Sequence, residues 1–167
     1  MSINYKQYYL HQRPVGATTD SDVKVRTVEV DSLTDGQLLI KNEYFSLDPA
    51  IRGWMSDEPS YMPPIELGDV IRSSTVGTVI ESKHPDFAAG DVVYGLNGWE
   101  QYSVSDGYFL TKVPEDNQFP LHYYLSAFGA VGLTAYFGIT DAAQLKPGDT
   151  LLMSAAAGAV GSLGGQL

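Results

Sequence analysis

The residues best suited to chemistry in this chain are the small ones of Ala156–Gly161, which read Ala-Ala-Gly-Ala-Val-Gly. This A-x-G-x-x-G spacing is a version of the dinucleotide-binding fingerprint, in which missing side chains let a pyrophosphate approach the backbone. A helix starting at the turn would present free N–H groups and partial positive charge to the phosphates. We therefore predict that Gly158, Ala159, Val160 and Gly161 bind a cofactor. The alternative interpretation is a tight packing corner between a strand and a helix.

The segments beside this turn have the patterns that such a site needs. The short apolar run Thr150–Ser154 is typical of a buried parallel strand. From Val160 onward the sequence can form a helix, although Gly164 and Gly165 are poor helix residues. Together these segments predict the first strand, turn and helix of an α/β nucleotide-binding domain.

Short strands dominate the chain before Leu121. Alternating or β-branched runs bounded by Gly, Pro or Asp predict strands over Val23–Val30, Gln37–Leu47, Ser73–Ser82, Asp91–Leu96 and Glu100–Ser105. Such a series is typical of a partly open barrel or a sandwich. After Leu121 the spacing becomes helical, with Leu133, Tyr136 and Phe137 on one face. The fold class predicted is mainly β, followed by the start of an α/β unit.

Composition excludes several classes of protein. Twenty acidic against ten basic residues give a net charge of −10, which disfavours nucleic acid as a partner. The chain has no cysteine, which excludes thiolate metal sites and fits a cytoplasmic location. No run approaches the roughly 20 apolar residues of a membrane helix, so we expect no membrane partner. His11, His84 and His122 show no ligand spacing, so we predict no metal site.

Several segments resemble the medium-chain dehydrogenase/reductase superfamily across nearly the whole chain. They are "FAAGDVVYG" (Phe87–Gly95), "GWEQYSV" (Gly98–Val104) and the long passage from "GLTAYFGI" to "LKPGDTLLMSAAAGAVGS". Within it, "YFSLDPAIRGWM" (Tyr44–Met55) and "EPSYMPPIELGDVI" (Glu58–Ile71) resemble the zinc-independent, NADPH-dependent alkenal/one double-bond reductases. That branch includes the prostaglandin reductases, also known as leukotriene B4 12-hydroxydehydrogenases, and the curcumin reductases.

The resemblance implies a GroES-like, partly open β-barrel catalytic domain over residues 1–125. It implies interdomain helices and the truncated start of a Rossmann cofactor domain over residues 126–167. It further implies NADPH as cofactor and reduction of a C=C bond conjugated to a carbonyl. Zinc-dependent members carry a Cys in the segment that matches "YFSLDP" and a Gly-His-Glu in the segment that matches "LGDVIR". This chain has Ser46-Leu47-Asp48 and Gly68-Asp69-Val70 there, so the resemblance implies no zinc.

Hydride addition to the carbon β to a carbonyl places negative charge on the oxygen, which a tyrosine hydroxyl can stabilise. Tyr61, in a loop with three prolines that matches the family's substrate-side segment, and Tyr44 are the catalytic candidates. The alternatives are a surface tyrosine for Tyr61 and a strand core residue for Tyr44. Thr134 in "GLTAY" resembles the superfamily's threonine near the nicotinamide; its alternative is a hydroxyl bonded within its own helix.

Three functions stay open from the sequence. The leading one is the N-terminal part of an NADPH-dependent enone reductase, inactive as this fragment because the rest of the cofactor sheet is missing. The second is a non-catalytic barrel that binds a ligand or partner. The third is a zinc-free quinone reductase of the same superfamily. The substrate expected is a small-molecule enone or quinone, and a homodimer is possible because family members commonly dimerise through the cofactor domain.

Overall fold

A computed structural model describes residues 2–167 of the chain. The chain divides into two compact units, Met1–Asn117 and Gln118–Leu167, here called the strand unit and the helical unit. The strand unit contains one helix, α1 (Pro49–Trp54), and the following strands: β1 (Ile3–Leu10), β2 (Val23–Val30), β3 (Leu38–Phe45), β4 (Arg72–Ser82), β5 (Val92–Gly98), β6 (Tyr102–Ser105) and β7 (Leu110–Lys112).

These seven strands, which lie within residues 2–117, form two antiparallel sheets. β1 pairs with β2, and the other five strands follow the order β6-β3-β4-β5-β7. The bridges Gln7↔Glu100 and Tyr9↔Val70 connect β1 to the larger sheet. The prediction of a mainly β fold with many short antiparallel strands is therefore confirmed.

Two apolar clusters form the interior of the strand unit. One lies between β3, β4 and β5 and consists of Leu38, Ile40, Val79 and Val93. The other lies beneath α1, where Ile51, Trp54 and Met55 of the helix region pack with Leu10, Ile65 and Ile71. Because α1 contributes two buried side chains to this cluster and the residue after it a third, the orientation of α1 is held by the core, and so is that of the residues that precede it.

Gly77 occupies a point of β4 where the sheet leaves no room for a side chain. It pairs with Asn42, next to an irregularity in the register of β3. A Cβ at Gly77 would lie 2.2 Å from the carbonyl oxygen of Lys41 and 2.9 Å from the Cα of Asn42. A glycine within a strand often marks such a close approach of backbones.

The helical unit contains α2 (Ala130–Phe137) and α3 (Ala159–Gly164). A 3-10 turn (Leu121–Leu125) precedes α2, and a π turn (Gly138–Ala142) follows it. Leu133, Tyr136 and Phe137, predicted to share a face, are each about half exposed.

The prediction of a strand over Thr150–Ser154 is wrong for this structure. Residues 151–153 lie in no regular element, and a turn begins at Ser154. The physical reason is the lack of a partner, because the helical unit as described has no other strand with which to form a hydrogen-bonded ladder. Leu152 is consequently 95% exposed.

Candidate functional site

An open, mainly apolar groove crosses the surface of the strand unit. Its volume is about 370 Å³, and we call it the Trp99 groove after its central side chain. A second cavity of about 330 Å³ shares Thr18, Leu47 and Trp99 with it and extends it along α1. The lining of the groove is formed by Tyr8, Thr18, Thr19, Asp20, Val23, Phe45, Leu47 and Trp99.

Hydrogen bonds hold the segment after β3 that forms one wall of the groove. The carbonyl of Ser46 accepts from the indole Nε1 of Trp99 at 3.0 Å and from the hydroxyl of Ser73 at 2.7 Å. The hydroxyl of Ser46 donates to the carboxylate of Asp48. The rings of Phe45 and Trp99 contact each other, with centroids 6.0 Å apart. This wall is therefore preorganised and presents aromatic and aliphatic surface to a ligand.

The opposite wall is the loop between β1 and β2, residues 11–22, here called the β1–β2 loop. Arg52 of α1 donates to the carbonyls of Pro14 and Gly16 in this loop, at 3.0 and 2.7 Å from Nη2. Its Nη1 donates to the hydroxyl of Ser56 at 2.7 Å. Arg52 thus joins α1 to the β1–β2 loop.

The two predicted catalytic tyrosines lie on the strand unit outside the lining of the Trp99 groove. Tyr61 is 78% exposed, and its ring packs edge-on against Trp54 with centroids 6.2 Å apart. Tyr44 is 49% exposed and lies on β3 next to Phe45, which lines the groove. Side chains of adjacent strand residues point to opposite faces, so Tyr44 and Phe45 do not share one. The structure places both hydroxyl-bearing rings at the surface.

The predicted cofactor turn forms a short loop that leads into α3. Gly158 precedes the helix, with its N–H donating to the carbonyl of Ala155 at 2.8 Å. A Cβ at Gly161 would lie 2.3 Å from that same carbonyl, and one at Gly158 would lie 3.1 Å from it. Gly161 is therefore required for closing the turn itself. Ala159 and Gly158 are exposed, so the backbone of the turn is accessible from solvent.

Thr134 and the cofactor turn contribute to one small cavity within the helical unit. Thr134, Val160 and Gly164 line this cavity of about 190 Å³, together with apolar residues of α2 and the 151–153 segment. The hydroxyl of Thr134 donates to the carbonyl of Ala130 at 2.7 Å, which is the intrahelical bond considered as its alternative role. The structure thus brings Thr134 and Val160 together while giving the threonine a partner in its own helix.

A buried polar cluster around Glu100 escaped the sequence reasoning. Glu100 is 8% exposed and accepts hydrogen bonds from Gln7 and from Ser103, the latter at 2.8 Å. Arg26 in turn donates to Gln7 at 2.8 Å. Burial raises the pKa of Glu100 above its ordinary value, despite these donors. Burial and the neighbouring Glu100 raise the pKa of Tyr5 to about 12.

Only the alternation of the "GWEQYSV" segment could have signalled this cluster. The same pattern also fits a solvent-facing glutamate, so sequence alone does not separate the two. The cluster joins β1 and β2 to the larger sheet through side chains, close to the bridge between Gln7 and Glu100. It therefore contributes to holding Trp99, the residue before Glu100, in the groove.

Replacement of Glu100 by glutamine should change how stability depends on pH. Because the folded-state pKa of Glu100 is raised, its stabilising contribution is complete below the ordinary value of 4.5 and is lost as pH rises through the folded pKa. A tenfold difference in acidity between the folded and unfolded states changes the free energy of unfolding by about 1.4 kcal/mol. The free energy of unfolding of the native protein minus that of E100Q, from urea titrations at pH 4.5 to 7.5, should therefore fall as pH rises.

Subtraction of the two curves isolates Glu100 from other carboxylates. Hydrogen bonds lower the pKa of Asp22 and Asp91, so the stability that these two carboxylates contribute is lost as pH falls. Because both carboxylates are present in the native protein and in E100Q, their contribution cancels in the difference. A difference that stays flat over this pH range would show that burial does not perturb Glu100.

Residues 2–167 contain neither a metal-binding cluster nor a membrane-spanning helix. In that range there is no cluster of three or more His, Asp or Glu side chains that could hold a metal ion. Nor does the same range contain a helix long and apolar enough to cross a membrane.

Comparisons with known proteins give the chain a family. The model described as the N-terminal domain of oxidoreductase matches residues 6–113. The chain is 42% identical over 162 residues to the NADPH-dependent curcumin reductase of Escherichia coli, covering 97% of this chain and 47% of that protein. It is 38% identical over 167 residues to prostaglandin reductase 1 of Bos taurus, covering 99% of this chain and 49% of that protein.

A solved structure extends the similarity to three dimensions. The crystal structure of CurA in complex with NADPH from Vibrio vulnificus matches with a TM-score of 0.88 and 38% identity, over 96% of this chain and 48% of that chain. This chain spans about half the length of the curated relatives it matches.

Proposed function

The chain belongs to the family of N-terminal domains of oxidoreductases, and we propose that the whole protein is an NADPH-dependent reductase of C=C bonds conjugated to a carbonyl. The family agrees with the resemblance to the medium-chain dehydrogenase/reductase superfamily that the sequence indicated. The Trp99 groove is the observation that carries the proposal. It is open, mainly apolar and walled by aromatic side chains, which suits the flat, apolar body of an α,β-unsaturated ketone or aldehyde.

NADPH, when bound, would supply the hydride that adds to the carbon β to the carbonyl. The residues of this chain would orient the alkene and stabilise the negative charge that develops on the carbonyl oxygen. Phe45, Leu47 and Trp99 would hold the substrate's apolar body against a wall that hydrogen bonds at Ser46 already fix.

A tyrosine hydroxyl is proposed as the donor to the carbonyl oxygen. Tyr61 is the stronger candidate because the residue is exposed while its ring is anchored on the buried Trp54. Since Tyr61 lies outside the lining of the Trp99 groove, this role requires that the carbonyl end of the substrate extends beyond the groove. Tyr44 is the second candidate, although strand alternation turns it away from the face of Phe45. The prolines at 59, 63 and 64 limit the conformations open to the loop that carries Tyr61.

The turn over Gly158–Gly161 is proposed to hold the cofactor's pyrophosphate, with Thr134 near its nicotinamide. The backbone at Gly158 and Ala159 is exposed, and a side chain at Gly158 would occupy part of the space before the helix. Thr134 and Val160 line one cavity, which supports a common role for the two residues. We accordingly propose a GroES-like domain over residues 1–125 and the start of a cofactor domain over 126–167.

The proposed reaction proceeds without zinc. The position that matches the zinc-binding segment of related enzymes carries Ser46 and Asp48, whose side chains hydrogen bond to each other. The sequence contains no thiolate to complete a tetrahedral site. Polarisation of the carbonyl would therefore depend on hydrogen-bond donors.

NADPH oxidation by the protein as its gene encodes it tests the proposal. We expect enone-dependent consumption of NADPH that EDTA does not inhibit, with an apolar enone such as benzylideneacetone preferred over a benzoquinone. Identification of the saturated ketone as product would exclude reduction of the carbonyl. Preference for the quinone would instead support a zinc-free quinone reductase, and no oxidation with either would overturn the catalytic proposal.

A further inference from the structure

The β1–β2 loop is braced internally at its base and is attached to its surroundings through two arginines. Arg13, near the start of the loop, donates to the carbonyls of Met55 and Ile65 at 3.0 and 2.9 Å. At its base, the buried carboxylate of Asp22 accepts from Gln12 at 2.9 Å and from the backbone and hydroxyl of Thr19, at 2.7 and 2.9 Å. These hydrogen bonds lower the pKa of Asp22, and the bond from Gln12 has the larger effect. The middle of the loop lacks this support, and Val15 is 97% exposed.

Arg52 provides the second attachment, at the middle of the loop. Its Nε and Nη2 both donate to the carbonyl of Gly16, and Nη2 also donates to that of Pro14. Gly16 has a φ of 78°, a conformation that suits glycine and turns its carbonyl toward α1. The planar guanidinium makes several directed bonds at once, which a lysine ammonium does not.

The same loop forms one wall of the Trp99 groove. Thr18, Thr19 and Asp20 lie two to four residues beyond the carbonyl that Arg52 holds, and all three line the groove opposite Leu47 and Trp99. A displacement of the loop at Gly16 therefore changes the distance between the two walls. Trp99 cannot move to compensate, because its indole Nε1 is hydrogen bonded to the carbonyl of Ser46 and its ring packs against the core cluster beneath α1.

We propose that Arg52 is a positioning residue that sets the width of the Trp99 groove by holding the β1–β2 loop against α1. Arg52 thereby determines how well the protein binds long, flat, apolar substrates that reach from Trp99 to Thr18. It makes no contribution to the chemical step itself. This inference rests on the proposed function, because it takes the groove as the substrate site.

The proposal is tested with Arg52→Ala and Arg52→Lys in the protein as its gene encodes it. Steady-state kinetics with benzylideneacetone, a long enone, and methyl vinyl ketone, a short one, separate binding from chemistry. We expect R52A to raise the KM for the long enone about tenfold, with kcat changed less than about twofold. The KM for the short enone should change less than about twofold, because it does not span the groove. R52K should lie between R52A and the native protein.

Hydrogen–deuterium exchange of the amides of residues 15–20 measures the loop directly, without substrate. R52A should increase their exchange rates about tenfold or more while leaving the strands unchanged. Lys83→Ala is the matched control, since Lys83 also donates to a loop carbonyl, that of Leu33, away from the groove. K83A should leave both the exchange of residues 15–20 and the KM values as they are.

The two measurements separate the ways in which the inference can fail. Unchanged exchange in R52A would overturn the positioning role, whatever the kinetics show. Faster exchange with an unchanged KM for the long enone would overturn the role in selecting substrates. A native protein that oxidises no NADPH with either enone would overturn the proposed function, while exchange would still decide whether Arg52 holds the loop.

Discussion

Replacing Gly77 with alanine is expected to lower the free energy of unfolding of the strand unit by about 3 kcal/mol, as overpacking against rigid structure does. The new methyl would lie 2.2 Å from the carbonyl oxygen of Lys41, so β3 or β4 must move. Since β3 carries the buried Leu38 and Ile40, movement of its backbone also disturbs the core. Urea and thermal unfolding followed by circular dichroism measure the loss.

The size of this effect follows from where the obstruction lies. A side chain that meets the end of a flexible neighbour can be accommodated by a rotamer change, whereas Lys41 and Asn42 oppose Gly77 with backbone atoms. The total stability of a domain is only about 5–15 kcal/mol, so the change removes a large fraction of it. A shift of the melting temperature by about 10 °C is expected for a unit of this size.

Gly53→Ala is the matched control. Gly53 lies in α1, and a Cβ there would meet no atom within 4 Å. Alanine is the better helix residue, so G53A should be neutral or more stable by about 0.5–1 kcal/mol. If G77A melted within about 2 °C of the native protein while G53A behaved as expected, the close approach of β3 and β4 would be refuted.

Local patterns in the sequence suffice for several of the strands. The strand over Val23–Val30 is found as predicted because its apolar and polar residues alternate with period two. The sequence pattern does not predict β1, because its inward-facing residues include the polar Gln7. Gln7 is buried with hydrogen bonds to Glu100 and Arg26. A polar side chain buried by a partner more than 90 positions away carries no local signal.

The Trp99 groove could not be predicted for a related reason. Its walls come from three separate parts of the chain, at Thr18, Leu47 and Trp99, which only the folded sheet and α1 bring together. Arg52 joins α1 to a carbonyl 36 positions away in the β1–β2 loop, so no local pattern indicates that role. By contrast, the sequence alone predicts the cofactor turn, because the pattern that indicates it consists of consecutive small residues. The missing strand at Thr150–Ser154 shows the limit of that reading, since an apolar run forms a strand only with a partner.

Replacing Tyr61 with phenylalanine is expected to lower kcat for an enone about 100-fold, the usual effect of removing one donor to a developing oxyanion. The ring contact with Trp54 is an edge-on contact between aromatic rings, which phenylalanine preserves. Only the exposed hydroxyl is lost, so the melting temperature should not change. The KM should change little, because the hydrogen bond strengthens as charge develops on the oxygen. Steady-state NADPH oxidation by the protein as its gene encodes it gives both constants.

Tyr44→Phe distinguishes a donor at the reacting carbonyl from a general effect of losing a hydroxyl at the surface. Tyr44 lies on β3 beside a residue of the groove but on the other face, so its loss should lower kcat less than about threefold. If Y44F gave the 100-fold loss and Y61F did not, the strand face would have been misjudged and the donor would be Tyr44. If neither variant affected kcat, neither candidate hydroxyl would stabilise the oxyanion, and the charge would have to be met by another donor. The contrast is informative because both variants leave the core and the Trp99 groove unaltered.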